Sequence, residues 1–398
     1  MAETVALHGR CDARFERVRE AFAREFSAGH ELGAGLCVTL EGETVVDLWG
    51  GYRDAARALP WERDTLANVY STTKGIAALA LHRLVDEGAV DLDAPVARYW
   101  PEFARGGKER LPVRQLLSHE AGLAAVRRPL PPGAIYDWST MVGALAAQEP
   151  WWEPGKAHGY HALTFGWLVG EVIRRVRGKS VGAVVREEIA RPLGVEFEIG
   201  FGPELDARVA PLVPGPVHAA PDGSPAYDLA GAMSADPDGL LARVFGNPPL
   251  LDPDAVNSRA WRAAELPAGG AIADARALAR IYAALIGEVD GVRLISEAAM
   301  QRARTVQTAG LPAPGELGKL PGSGAQPYGL GYELPSKVKP MLGPGSFGHA
   351  GAGGRMGFAH PESGAAVAYV CNTMLNNPAG PDPRWVGWTA ALHAALGT

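Results

Sequence analysis

The sequence predicts an α/β protein of the α+β kind, with an antiparallel sheet flanked by helices, built from both chain ends and interrupted by a mostly helical insertion. Two observations carry this. Runs with strand character lie near the start (Gly33 to Gly51) and in the last quarter (Gly329 to Asn372), whereas apolar residues at helical spacing fill the middle. Consecutive antiparallel strands at the C-terminus also need a partner for their edges, and the N-terminal hairpin can supply it. The expected division is residues 1–90 with 270–398 as the sheet-bearing domain and 91–269 as the helical one, with the active site in the cleft between them.

In chain order, residues 11–28 read as an amphipathic helix with Phe15, Val18, Phe22 and Phe26 on one side. Two β-rich runs flank Glu41-Gly42-Glu43, a hairpin signal. Asn68 to Ala80 opens a helix whose stop is marked by Asp86, Glu87 and Gly88. From Asp91 short helices and loops follow, with helices expected over Ser139–Ala147, Thr164–Arg177 and about Val181–Ile189. Residues 200–255 are rich in Pro, Gly, Ala and Asp and are expected to be loops with at most a short strand or helix, an irregular length of the kind that lines binding sites. A helix is expected over Ala271–Ile286. Strands are then expected at Gly329–Leu334, Ser346–His349, Arg355–Ala359 and Gly364–Asn372, before a last helix at Arg384–Leu396.

Composition bounds the function. Apolar residues make up 47% and charged residues 21% of 398, an ordinary globular mixture long enough for two domains. A formal charge of −6 gives no electrostatic ground for nucleic-acid binding. No run approaches the ~18 apolar residues of a membrane span, so no membrane partner is expected. The start lacks a basic region followed by an apolar one, and Cys11, Cys37 and Cys371 are too few and odd in number for a disulfide framework. A reducing cytoplasm is therefore the expected location, although a trimmed secreted form shares these features. There is no His-Glu-x-x-His and no paired Cys-x-x-Cys, so neither a metal nor another cofactor is expected.

The chemistry is expected at Ser71-Thr-Thr-Lys74. Ser71 stands where a helix cap belongs, and Lys74, three residues on, shares its helical face. A serine hydroxyl needs a neighbouring base to become a nucleophile, and a lysine serves if burial disfavours its ammonium form. Taken alone, Ser-x-x-Lys reads as a capping serine followed by a surface lysine. The nearly uncharged stretch Gly75 to Leu81 argues instead for a helix buried all round.

Three further motifs fit the same machine: Leu116-Leu-Ser-His-Glu-Ala-Gly-Leu123, Pro154-Gly-Lys-Ala-His-Gly-Tyr160, and His349-Ala-Gly-Ala-Gly-Gly354 followed by Gly357-Phe358. With these in order, the chain resembles the serine β-lactamase-like superfamily over nearly its full length: class C β-lactamases, DD-peptidases and, most closely, family VIII carboxylesterases. The resemblance implies Tyr160 as the catalytic tyrosine, with Ser71 and Lys74, and an oxyanion hole from the Ser71 and Ala352 amides. A phenol beside Lys74 is expected to have a lowered pKa and to shuttle the proton. His349 occupies the place of the β-lactamase Lys-Thr-Gly lysine, and Ala162 that of the Tyr-x-Asn asparagine. A mostly neutral histidine favours uncharged esters over β-lactam carboxylates. His349, Gly351, Trp152 and His161 are the expected substrate contacts, with the glycines at 351, 353 and 354 giving close approach. His119 and Gly122 belong to a structural turn, and Arg355 is expected in a solvated salt bridge.

Gly178-Lys-Ser180-Val-Gly182 matches a nucleophile-elbow pentapeptide, but helix-like sequence on both sides makes Ser180 a cap. The expected activity is hydrolysis of small, short-chain carboxylic esters through an acyl-enzyme on Ser71, in a chain that can form homo-oligomers. β-Lactamase, D-amino-acid peptidase or amidase, and acyltransferase chemistry share that intermediate. A non-catalytic ligand-binding relative is the reading from another class.

Overall fold

The computed structural model describes residues 5–217, 228–248, 253–320, 326–376 and 381–397. Along the chain the strands are β1 (Leu7–Cys11), β2 (Gly33–Leu40), β3 (Glu43–Gly51), β4 (Leu66–Asn68), β5 (Phe197–Ile199), β6 (Val209–Ala210), β7 (Val213–Val217), β8 (Ala271–Ala273), β9 (Phe347–Gly351), β10 (Arg355–His360), β11 (Ala365–Cys371) and β12 (Thr373–Asn376). The helices are α1 (Glu16–Ser27), α2 (Thr72–Asp86), α3 (Val113–Leu117), α4 (Trp138–Ala147), α5 (Thr164–Arg177), α6 (Val181–Val185) and α7 (Leu229–Ala235). They continue with α8 (Leu240–Gly246), α9 (Pro253–Asn257), α10 (Arg259–Ala263), α11 (Ala275–Ile286), α12 (Glu297–Arg304) and α13 (Pro383–Leu396).

The main sheet has the order β1-β3-β2-β11-β10-β9, so the N-terminal hairpin is zipped onto the C-terminal strands. The seam is β2 against β11, antiparallel from Ala34 opposite Cys371 to Leu40 opposite Ala365. The hairpin turns where Glu41 and Gly42 both take positive φ, as a tight two-residue turn requires. Side chains alternate across the pleat. On one face Leu36, Val38, Val367, Tyr369 and Phe358 pack with Val18 and Phe22 of α1 and Trp388 and Leu392 of α13. On the other, Cys37, Ala366, Ala368 and Val370 join the core built on α11 and α2. Small alanines on that face let α11 lie close against the strands. A layer of helices on each face is how a sheet buries both its surfaces.

Four local expectations are corrected. Residues 329–334 do not form a strand: Gly331 has a φ of 87° and the segment pairs only by single bridges, Tyr328 with Glu333 and Glu333 with Gly348. Ala271 to Ile286 is not one helix, because β8 comes first and Asp274 then caps α11 by accepting from the Ala277 N–H at 2.8 Å. The irregular 200–255 stretch contains β6, β7, α7, α8 and the start of α9 within its described residues. Strand β1, unanticipated, is an exposed edge whose residues Leu-His-Gly-Arg-Cys show no apolar alternation. Residues 218–227 and 249–252 of the irregular stretch lie outside the described residues. Among the described residues no helix is long and apolar enough to cross a membrane.

Candidate active site

Strand β4 ends at Asn68 and α2 begins at Thr72, and the connection between them carries the serine. The Val69 N–H is tied to Ala271 O at 2.9 Å, and the Tyr70 N–H to Asn68 Oδ1 at 2.8 Å. Tyr70 takes a φ of 45°, a left-handed conformation that costs a non-glycine residue about 1 kcal/mol or more. This strained turn aims Ser71 outward. Ser71 stands at the cap position of α2, as expected, but with helical angles and no side-chain capping bond. Its hydroxyl is thereby left for chemistry rather than for satisfying the helix end.

Helix α2 is buried on nearly all sides, so Lys74 on its first turn is inaccessible to water. Lys74 Nζ lies 2.9 Å from Ser71 Oγ and donates to the carbonyls of Ala162 and Ala268, each at 2.7 Å. Burial drives its pKa well below the ordinary lysine range; the Glu333 carboxylate opposes this and Lys339 reinforces it.

Tyr160 precedes α5, and its phenol lies close enough to the Ser71 side chain for that hydroxyl to favour the phenolate. Its ring lies 4.8 Å from Lys74 Nζ, stacks on Tyr328 at 6.2 Å and meets His119 edge-on at 5.0 Å. Burial and the Glu333 charge push the phenol pKa up, outweighing the pull of the Ser71 hydroxyl. The lowered phenol pKa expected from the sequence is therefore corrected, because desolvation penalises a phenolate more than one neighbour relieves it.

His349 sits on β9 with its ring 6.1 Å from that of Tyr160. Its Nδ1 is 2.7 Å from Ala350 O, which makes Nδ1 the protonated nitrogen, and its buried Nε2 has no partner among the described residues. Burial pulls its pKa down to about 4, against the pull of Glu333. Behind it Glu333, also buried, accepts from the Ala350 N–H at 2.9 Å and pairs with Lys339. Burial alone would raise the Glu333 pKa, but Lys339, His349 and the Ala350 amide hold it low. No motif singles out Glu333, whose carboxylate meets Ala350 and Lys339 only through the folding of the 333–350 segment.

Two of the expected substrate contacts, His161 and Gly351, are placed otherwise, as are the glycines at 353 and 354. His161 is fully buried, with Nε2 accepting from the Leu123 N–H at 3.0 Å and Nδ1 2.6 Å from Gly159 O, so both nitrogens are used inside the protein. Gly351 faces the serine turn: a Cβ there would lie 2.3 Å from Val69 O. Gly353 and Gly354 face the guanidinium groups of Arg355 and Arg384 instead of open space. Trp152, half-buried, donates to Ala157 O at 3.0 Å and packs edge-on against His161. Among the described residues Arg355 makes no salt bridge; it is buried and donates to Ala352 O at 2.9 Å. Ser180 caps α6 by accepting from the Ala183 N–H at 3.3 Å, and donates to Glu265.

Among the described residues, no hydrogen bond takes the N–H of Ser71 or of Ala352. Beside Tyr160 lies a small cavity of about 20 Å³, room for little more than one water, with Val244, Phe245, Ala313, Leu317 and Leu320 as its apolar wall. Among the described residues no group of three or more His, Cys, Asp or Glu is arranged to hold a metal.

An antiparallel sheet covered by helices, with a serine and a desolvated lysine on the first turn of a buried helix, defines a class, the serine β-lactamase-like hydrolases. The chain belongs to the Beta-lactamase family, whose sequence pattern matches residues 18–391. It is 37% identical over 382 residues to Esterase/beta-lactamase LipL of Mycobacterium tuberculosis, covering 93% of this chain and 84% of that one. A solved family VIII carboxylesterase superposes with a TM-score of 0.85 at 38% identity, over 98% of this chain and all of that one. A penicillin-binding protein homolog from Caulobacter crescentus gives 0.83 at 37% identity over the same shares of the two chains.

Proposed function

We propose that this protein hydrolyses small, uncharged carboxylic esters through an acyl-enzyme on Ser71. The observation that carries the reading is Lys74 Nζ, buried and 2.9 Å from Ser71 Oγ, with the Tyr160 ring 4.8 Å from the same amine. A neutral lysine has two N–H bonds and one lone pair. The carbonyls of Ala162 and Ala268 take the two N–H bonds, which leaves the lone pair facing Ser71. Lys74 then accepts the Ser71 proton as Oγ attacks the ester carbonyl. Tyr160, held protonated by burial, gives its proton to the departing alkoxide and regains one from Lys74. In the second half a water attacks the acyl-enzyme, its proton passing back through Tyr160 and Lys74 to Ser71 Oγ as the acid leaves. The free amides of Ser71 and Ala352 take the developing oxyanion, an interaction worth about 10²–10³ in rate per donor.

Substrate class follows from the surroundings. A neutral His349 and the carbonyl-presenting Ala162 offer no fixed positive charge for a carboxylate, and the cavity beside Tyr160 is apolar. The names of LipL and of the solved carboxylesterase are in keeping with ester substrates. We place the site between two lobes, residues 1–90 with 270–398 and residues 91–269; the contacts of Lys74 with both Ala162 and Ala268 support this.

Ser71→Ala is expected to abolish hydrolysis of p-nitrophenyl butyrate, while Ser180→Ala leaves kcat near the wild-type value. Loss of activity in Ser180→Ala with retention in Ser71→Ala rejects the assignment. A second reading, β-lactam hydrolysis, draws on the double name of LipL; nitrocefin turnover at a rate rivalling that of the ester would favour it.

A further inference from the structure

The turn between β9 and β10 is held by its carbonyls. Gly351 O accepts from the Gly354 N–H at 3.1 Å, and Ala352 O from Arg355 Nη1 at 2.9 Å. Gly353 O accepts from Arg384 Nη2 at 2.5 Å, and Gly354 O from the indole Nε1 of Trp385 at 2.8 Å. Four consecutive carbonyls are thus taken, two of them by the first turn of α13. The absence of side chains at 353 and 354 is what admits these groups. A Cβ at Gly353 would lie 2.2 Å from Arg355 Nη1, and one at Gly354 1.8 Å from Arg384 Nη2. Arg384 is in turn fixed by Asp382, with Nη2 2.6 Å from Oδ2, and by Glu31, with Nη1 2.5 Å from Oε1, the Arg384 and Glu31 side chains being fully buried.

A trans peptide points its N–H opposite to its C=O. With Gly351 O turned back onto Gly354, the Ala352 N–H in the same plane must face the other way. Gly351 lies against Val69 and Thr72, so that other way is toward the serine turn. We propose that Arg384 and Trp385 of α13, with Arg355, form a clamp that sets the direction of the Ala352 N–H. They are positioning residues that never touch substrate. The inference rests on the reading of that amide as an oxyanion donor. A buried, multiply bonded arginine is a costly element to keep for packing alone, and here its Nη2 reaches the turn carrying the donor.

The test uses Trp385→Phe, which removes one N–H and keeps the ring, and Arg384→Lys, which keeps the charge opposite Glu31 and Asp382 but loses the fork. Val386→Ala, on the exposed side of the same turn of helix, is the control. Each is assayed with p-nitrophenyl butyrate, and the acyl-enzyme carbonyl is read by isotope-edited difference infrared spectroscopy. The clamp predicts that Trp385→Phe lowers kcat about threefold to tenfold, and Arg384→Lys about ten- to a hundredfold, with KM within twofold. The acyl carbonyl band should move toward the frequency of the free ester in both, and Val386→Ala should match wild type. A folded Trp385→Phe with unchanged kcat and band overturns the clamp, even if Arg384→Lys does not fold. A wild-type band already at the free-ester frequency overturns the oxyanion reading itself, and the clamp with it.

Discussion

Lys74 and His349 are two bases whose charge the fold suppresses, and the difference between them sets what the site can accept. Burial disfavours the ammonium form of Lys74, and the Glu333 carboxylate offsets this only in part. His349 stays neutral to about pH 4 for the same reason and presents an unprotonated Nε2. Introducing a permanent charge at 349 should therefore change selectivity more than turnover. His349→Lys is expected to raise the ratio of kcat/KM for p-nitrophenyl hemisuccinate over p-nitrophenyl butyrate about tenfold. An unchanged ratio would show that residue 349 does not meet the substrate. At this scale the sequence was informative for Ser71, Lys74 and Tyr160, because each sits in a local motif. It was silent on Glu333 and Arg384 and put Arg355 in solvent, because their partners at Ala350, Gly353 and Ala352 are fixed by tertiary approach. The pairing of Asp382 with a buried Arg384 at the head of an apolar helix was a signal available in the sequence.

At the scale of elements, α2 and α5 were legible because their apolar residues recur at helical spacing, and the β2–β3 hairpin because a turn signal parts two β-rich runs. Strands β4, β5 and β8 were not. Each is three residues of buried chain, too short for any period, and they exist because they pair with one another. Helix α2 also carries a test of its packing. Gly75→Ala would raise helix propensity by roughly 1 kcal/mol. Here, however, a Cβ would lie 2.3 Å from Tyr282 Oη, and the buried ring backing the helix must shift. Overpacking of this kind costs about 1–3 kcal/mol. Gly75→Ala is expected to lower Tm by several degrees and, by displacing Lys74, to lower kcat. Adding Tyr282→Phe should restore part of both. A Tm above wild type for Gly75→Ala alone would mean that α2 has room on that side.

Across the whole molecule, buried neutral histidines link stability to pH. His82, His161 and His349 are each held down to about 4 from an ordinary 6.5 by burial. Between those values the unfolded chain is protonated at these sites and the folded protein is not, so unfolding takes up protons and stability falls as the pH drops. Each shift is worth at most roughly 3 kcal/mol, against a total stability of about 5–15 kcal/mol. Circular dichroism is expected to show the native state lost between pH 6.5 and 4. A Tm at pH 4 equal to that at pH 7 would contradict this. The main sheet itself followed from where strand-like sequence lies, at both ends of the chain.

The most direct test of the account is the rate at which a fluorophosphonate forms its adduct, read by intact mass and peptide mapping in wild type and Lys74→Met. A single adduct on Ser71, forming at least about 10³-fold more slowly without the lysine amine, is the predicted result. An adduct on another serine, or an equal rate in Lys74→Met, would contradict it.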